Sequence, residues 1–138
     1  MGRILAIDYG SKRCGIAVTD SLRILATGLT NVHSKDLVKF LEDYLAKESV
    51  DIIVVGEPKT MQNDKSSSAR FIDPFVTHIQ KKFPNVKIDR FDERFTSALA
   101  HQTMLMGGLK KKDRRNKETV DIISATIILQ DYMQSISR

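Results

Sequence analysis

Ile52, Ile53, Val54 and Val55 form an unbroken run of branched apolar residues, and no other feature of the chain constrains its fold as much. A strand with one wet face alternates apolar and polar residues. A run without alternation instead belongs to a central strand covered on both faces. The run is too short to cross a bilayer, so no membrane span is expected. Arg3 to Ile7 reads as a second buried strand, closed by a polar turn from Asp8 to Arg13.

Gly15 to Thr19 resumes the strand pattern, Ser21 and Leu22 make a turn, and Ile24 to Thr30 supplies a third strand with Gly28 as a bulge or point of close approach. Three strands joined by short turns predict an antiparallel meander. Ser34 is the expected N-cap of a helix carrying Leu37, Phe40, Leu41, Tyr44 and Leu45 on one face. The Ile52–Val55 strand follows, with Gly56 as its end. Residues 60–68 are polar and aperiodic, a mobile loop opening into a helix with Phe71, Ile72, Phe75, Val76 and Ile79, which Pro74 interrupts or begins. Val86 to Phe91 returns to strand. Thr96 caps a helix with Leu99, Met104 and Leu105, stopped by Gly107 and Gly108. Asn116 caps a last helix, apolar around much of its girth and therefore well buried. The expected architecture is α/β: a mixed five-stranded sheet, an antiparallel three-strand meander plus parallel strands, flanked by helices in one domain over residues 1–138.

A chain of 138 residues can bury a sufficient core without staples. Cys14 is the only cysteine, which excludes an intramolecular disulfide and a cysteine-based metal site, and its neighbours favour plain burial. His33, His78 and His101 are scattered without ligand or triad spacing. The N-terminus lacks the long apolar segment of a secretory signal, so the expected location is cytoplasmic. Net charge is +5, from 22 Lys and Arg against 17 Asp and Glu, compatible with a polyanionic partner without requiring one. Its distribution is more telling, because Lys110, Lys111, Lys112, Arg114, Arg115 and Lys117 fall within eight residues.

The acids carry the chemical signal. Asp8 ends the first strand, Glu57 the fourth, and Asp92 and Glu93 the fifth, while Asp121 is expected in the first turn of the last helix. If these strands are neighbours, their C-terminal ends meet at one sheet edge and the acids converge there. Clustered carboxylates raise one another's pKa and lose hydration on burial, a penalty that a divalent cation removes. Oxygen ligands without Cys or organised His select Mg²⁺ or Mn²⁺. Two such ions about 3.5 to 4 Å apart serve phosphodiester hydrolysis, one activating water and the other stabilising the leaving oxygen. Each acid also has a plainer reading. Asp is common at turn starts, a helix N-terminus favours Asp121 by about 0.3 to 1 kcal/mol, and Glu93 beside Arg94 fits a surface ion pair. Their joint placement is what favours a site.

The segments IDYGSKRCGIAVTD, VVGEP, DERFTS and ETVDIISATIILQDY, in that order and over essentially the whole chain, resemble the YqgF (RuvX) family of bacterial RNase H-like proteins. The family is described both as Holliday junction resolvases and as nucleases processing the 5′ end of pre-16S ribosomal RNA. The resemblance implies an RNase H-like fold and an acidic triad of Asp8, Glu93 and Asp121. Gly10, Lys12, Arg13 and Gly15 match the family's N-terminal motif, and Arg94 and Thr96 match its DER-x-T motif. One departure stands out: the family usually reads Gly-Leu-Pro where this chain has Gly56, Glu57 and Pro58. An acid often ends this strand in the wider superfamily, so Glu57 is either a further metal ligand or a solvated loop residue.

Lys12 and Arg13, close behind Asp8, suit a scissile or flanking phosphate, or are an ordinary charged turn. The Lys110–Lys117 run suits the nucleic-acid backbone, or is a solvated loop. No aromatic residue interleaves with it, so backbone contact is favoured over base readout. The leading expectation is a hydrolase: a two-metal endonuclease acting on a structured RNA precursor, with a resolvase of branched DNA as the alternative using the same residues. A non-catalytic nucleic-acid-binding module is a second class. An ATPase of the actin-like type is a third, disfavoured because such folds clamp nucleotide between two lobes. No exposed stripe marks an oligomer interface, although a junction resolvase is expected to act as a two-fold dimer.

Overall fold

The computed structural model describes residues 2–10, 12–57, 69–92 and 117–136, with the backbone alone at 57, 69–71, 92 and 117–121. In chain order the elements are β1 (Arg3–Asp8), β2 (Arg13–Thr19), β3 (Ala26–His33), a short 3₁₀ turn (Ser34–Asp36), α1 (Leu37–Lys47), β4 (Val50–Glu57), α2 (Ala69–Lys82), β5 (Lys87–Asp92) and α3 (Lys117–Ile136). The expected loop at 60–68, the helix after Thr96 and the cap at Asn116 lie outside the described residues.

The sheet has the order β3-β2-β1-β4-β5. β1 pairs antiparallel with β2, and β2 with β3, which is the expected meander. β4 and β5 add in parallel, so β1 and β4 are interior strands. This explains the apolar run in β4: Ile53 and Val55 join one core, Val54 the other. The first core gathers Leu5, Ile7, Ile16, Val18, Ile53 and Val55 under Leu37 and Leu41 of α1 and Ile72, Phe75, Val76 and Ile79 of α2. Cys14 is fully buried there. The second packs Ile4, Ala6, Ala17 and Val54 against Ala125, Ile128, Leu129 and Tyr132, an i, i+3, i+4, i+7 stripe of α3. Each fully buried Leu or Ile contributes about 1.5 to 3 kcal/mol.

Several boundaries differ from expectation. β3 begins at Ala26, because Ile24 and Leu25 belong to a turn organised by Asp20, whose Oδ1 accepts from the Ile24 and Leu25 amides at 2.7 and 3.0 Å. These two bonds hold the Asp20 carboxyl below its ordinary pKa. Gly56 does not end β4; it stays in the ladder beside Asp8 and Phe91, and the strand runs to Glu57. Pro74 sits inside α2 without breaking it. As the sixth residue of the helix it lies past the first turn, so its missing N–H removes one bond of the helical ladder.

Gly28 is the expected point of close approach, and the bulge falls beside it. The β2–β3 register slips by one residue, with Ile16 opposite Thr30 and Ala17 opposite Gly28, so Leu29 is the extra residue of a bulge. A Cβ on Gly28 would stand 2.5 Å from Ile122 Cγ2 and 3.1 Å from Thr126 Oγ1 of α3. Ala6, Ala17 and Gly28 are successive partners across three strands, a row of minimal side chains beneath α3. Gly28→Val is expected to destabilise the fold by about 1 to 3 kcal/mol in urea unfolding, with Gly28→Ala milder. Ile122→Ala in the same chain should recover part of that loss; purely additive effects would show that the helix does not touch this strand.

Candidate active site at the C-terminal sheet edge

Asp8 is the last residue of β1, and its backbone pairs with Gly15 on one side and Gly56 on the other. Gly56 in turn pairs with Phe91. The ends of three strands therefore lie side by side, which is the convergence that neighbouring strands required. Within this row it is Gly56, not Glu57, that stands beside Asp8. Glu57 is one residue further on, opposite Asp92.

α3 runs antiparallel to β1. Near its end, Gln130, Met133 and Gln134 border a hollow shared with Arg23, Ile24, Leu25 and Ala26, at the sheet edge away from Asp8. Ile122 lies over Gly28, level with Ala6 and Ala17, two residues short of Asp8 along β1. The helix start is thus directed toward the Asp8 edge. Position 121 precedes Ala125 by four residues on the stripe that packs against the sheet, one turn of about 5.4 Å closer to that edge. Lys117 opens the helix, so position 121 lies a full turn in. The attraction of an acid to a helix N-terminus fades within the first turn, which weakens that plainer account of Asp121.

The remaining expected site residues divide plainly. Lys12 is exposed in the β1–β2 turn, and Arg13 opens β2 opposite His33. Glu93 would follow directly on the last residue of β5; it lies outside the described residues, as do Arg94, Thr96, Lys110, Lys111, Lys112, Arg114 and Arg115. The side chains of Glu57, Lys117 and Asp121 are likewise outside them. Among the described residues no group of three His, Cys, Asp or Glu side chains gathers.

Two contacts that position this edge were not read from the sequence. Ser34, expected as a helix cap, instead donates its hydroxyl to the Gly10 carbonyl at 3.1 Å, across 24 residues. Tyr132 of α3 donates to Asp89 Oδ2 of β5 at 2.8 Å and meets Phe91 edge-on, with ring centroids 6.4 Å apart. Neither has a local sequence signal, since each depends on pairing between distant segments.

Burial, then the Asp89 hydrogen bond and charge, push the Tyr132 hydroxyl well above its ordinary pKa. The neutral phenol is the form that the fold binds. Its contribution is therefore complete below about pH 10, the unfolded value, and declines as pH rises toward the folded one. Tyr132→Phe should cost about 0.5 to 1.5 kcal/mol at neutral pH and remove this residue's share of the alkaline decline in an unfolding series. A wild-type and Tyr132→Phe pair whose stability difference stays constant up to pH 12 would contradict the assignment.

Comparison with known proteins agrees with this fold. RuvC from T. thermophilus, in complex with a Holliday junction substrate, superposes with a TM-score of 0.56 over 98% of this chain and 96% of that one, at 16% identity. The fold is therefore of the RNase H-like class. The family described as RuvX, Holliday junction resolvase, matches residues 2–135, and the chain belongs to that family. A protein of Phocaeicola vulgatus named "Putative pre-16S rRNA nuclease" is 58% identical over 135 residues, covering 98% of this chain and 97% of the relative. Relatives of the same name in Bacteroides thetaiotaomicron and Flavobacterium johnsoniae are each 56% identical over 135 residues, covering 98% of both chains. No helix among the described residues is long and apolar enough to cross a membrane.

Proposed function

We propose that this chain is a metal-dependent endonuclease that hydrolyses phosphodiester bonds in precursor 16S ribosomal RNA, at its 5′ end, in the cytoplasm. Asp8, Glu93 and Asp121 are its catalytic carboxylates. The observation that carries the reading is the shared sheet edge: Asp8 ends an interior strand there, and α3 starts toward it with position 121 on its sheet-facing stripe. The name shared by relatives more than half identical over nearly the whole chain supports the RNA substrate.

The donor set suits a hard divalent cation. Carboxylates at one edge repel one another unless a cation neutralises them, and oxygen donors favour Mg²⁺ or Mn²⁺. Such ions, when bound, supply Lewis acidity toward the attacking water and the leaving oxygen. Asp8, Glu93 and Asp121 hold them. Glu57 is an outer carboxylate in this scheme, because the residue in register with Asp8 is Gly56. Lys12 and Arg13 bind phosphates flanking the scissile bond, since both follow Asp8 within five residues. Arg94, Thr96 and the run of Lys110, Lys111, Lys112, Arg114, Arg115 and Lys117 hold the nucleic-acid backbone, which makes affinity fall with salt.

A second reading, resolution of branched DNA by the same residues, is favoured by the description of the family. A 5′-extended 16S precursor and a four-way DNA junction, each incubated with Mg²⁺ or Mn²⁺, separate the two. The proposal expects cleavage of the RNA. Cleavage of the junction alone supports the second reading, and binding without cleavage under either metal supports a non-catalytic module. Asp8→Asn is expected to lower cleavage by a factor on the order of 100 to 1,000 while the fold is kept, and Glu57→Gln by less than about tenfold. Unchanged cleavage in Asp8→Asn would remove the mechanism. Equal losses in the two variants would move Glu57 into the inner set.

A further inference from the structure

The turn that leads from Asp8 to Lys12 is gripped by parts of the chain far from it in sequence. The Ser34 hydroxyl donates to the Gly10 carbonyl at 3.1 Å, and the Ser34 amide donates to the Lys12 carbonyl at 2.9 Å. On the other side the Tyr9 ring packs against Phe75 of α2, with centroids 5.0 Å apart. The turn itself is tight, since a Cβ on Gly10 would stand 2.5 Å from the Arg13 carbonyl oxygen.

This grip displaces an ordinary use of Ser34. A serine at the start of a helical segment usually caps it by accepting from a nearby amide. Here the 3₁₀ turn is capped by His33 instead, whose Nδ1 accepts from the Lys35 amide at 3.2 Å, and Asp36, the N-cap of α1, makes no side-chain capping bond. The Ser34 hydroxyl is directed across to the turn. Lys12, whose carbonyl is held by the same residue, keeps its side chain exposed. A cation on a fixed backbone meets a phosphate with less ordering cost than one on a loose turn.

We propose that Ser34 is a positioning residue for the phosphate-binding turn: through the Gly10 carbonyl, its hydroxyl keeps Lys12 at a set distance from Asp8. This rests on the reading of Asp8 as part of a phosphodiester-cleaving site. The hydrogen bond from the Ser34 backbone amide to the Lys12 carbonyl does not involve the side chain and is kept in Ser34→Ala, so that variant tests the hydroxyl alone. Lys12 grips a phosphate that does not react, so the loss falls on binding and not on the chemical step.

Steady-state cleavage of the 16S precursor by the full chain is expected to show KM raised about fivefold in Ser34→Ala, with kcat within about twofold of wild type. Ser34→Thr, which keeps a hydroxyl, should restore KM. In a Lys12→Ala background Ser34→Ala should add nothing, because the positioned group is gone. A full additional fivefold rise in that background would overturn the proposal, as would an unchanged KM in Ser34→Ala. Fluorescence anisotropy of the same RNA on chains carrying Asp8→Asn repeats the comparison without catalysis. If Asp8→Asn still cleaves, the catalytic reading fails. If Asp8→Asn is inactive and adding Ser34→Ala leaves RNA binding unchanged, the positioning role fails and the catalytic reading stands.

Discussion

The packing of α3 on the row formed by Ala6, Ala17 and Gly28 governs the rest of the structure. Interiors are close-packed, so how near a helix lies to a sheet is set by the side chains between them. With two alanines and a glycine beneath it, α3 approaches until Ile122 and Thr126 fill the space that a Gly28 side chain would take. Its stripe of Ala125, Ile128, Leu129 and Tyr132 then fixes its rotation, and the Tyr132–Asp89 hydrogen bond ties its later turns to β5. Direction, depth and rotation together decide where position 121 stands relative to Asp8. A packing row two residues short of Asp8 thus sets where the start of the last helix lies relative to that strand end.

The two edges of the sheet are built for different purposes. At the edge away from Asp8, Asp51 Oδ2 accepts from the Gly2 amide and from Arg23 Nη2, while Arg23 Nε donates to the Gly2 carbonyl. Arg23 takes a left-handed φ of 58° within that turn, a strained conformation that these partners hold. Arg3 adds a bond to the Thr19 carbonyl, and Thr19 Oγ1 accepts from the buried Ile4 amide. Charges there are paired and the backbone is closed. At the Asp8 edge the interior strand β1 ends in an acid, and an exposed Lys12 follows in a turn steadied by Ser34. One edge is latched by an acid shared between two segments, and the other carries an acid at a strand end with an exposed lysine close behind it.

Much of this was legible in the sequence, for reasons that can be named. The unbroken Ile52–Val55 run announced an interior strand because two cores, one on each face, both draw on it. Gly28 was legible because a glycine inside a strand pattern has few other uses. The start of β3 was misread because Ile24 and Leu25 look like strand residues; the Asp20 carboxylate holds their amides in a turn and leaves both side chains largely exposed. Gly56 looked like a terminator because glycine weakens strands, but flanked by β1 and β5 it keeps its place in the ladder. Ser34 looked like a cap because the sequence cannot reveal a carbonyl 24 residues away. The strand-end position of Asp8 was read correctly, whereas the register that puts Gly56 beside it needed the pairing itself.

The central claim is that divalent metal binds at the edge formed by the ends of β1 and β4 and the start of α3. Paramagnetic broadening of backbone amide resonances on titration with Mn²⁺ tests it directly, because the effect falls steeply with distance from the ion. The account predicts that the amides of Asp8, Gly56 and residues 117–121 broaden first, that those of Asp20–Leu25 stay sharp, and that Asp8→Asn removes the effect. Broadening strongest at Asp20–Leu25, or unchanged by Asp8→Asn, would contradict it.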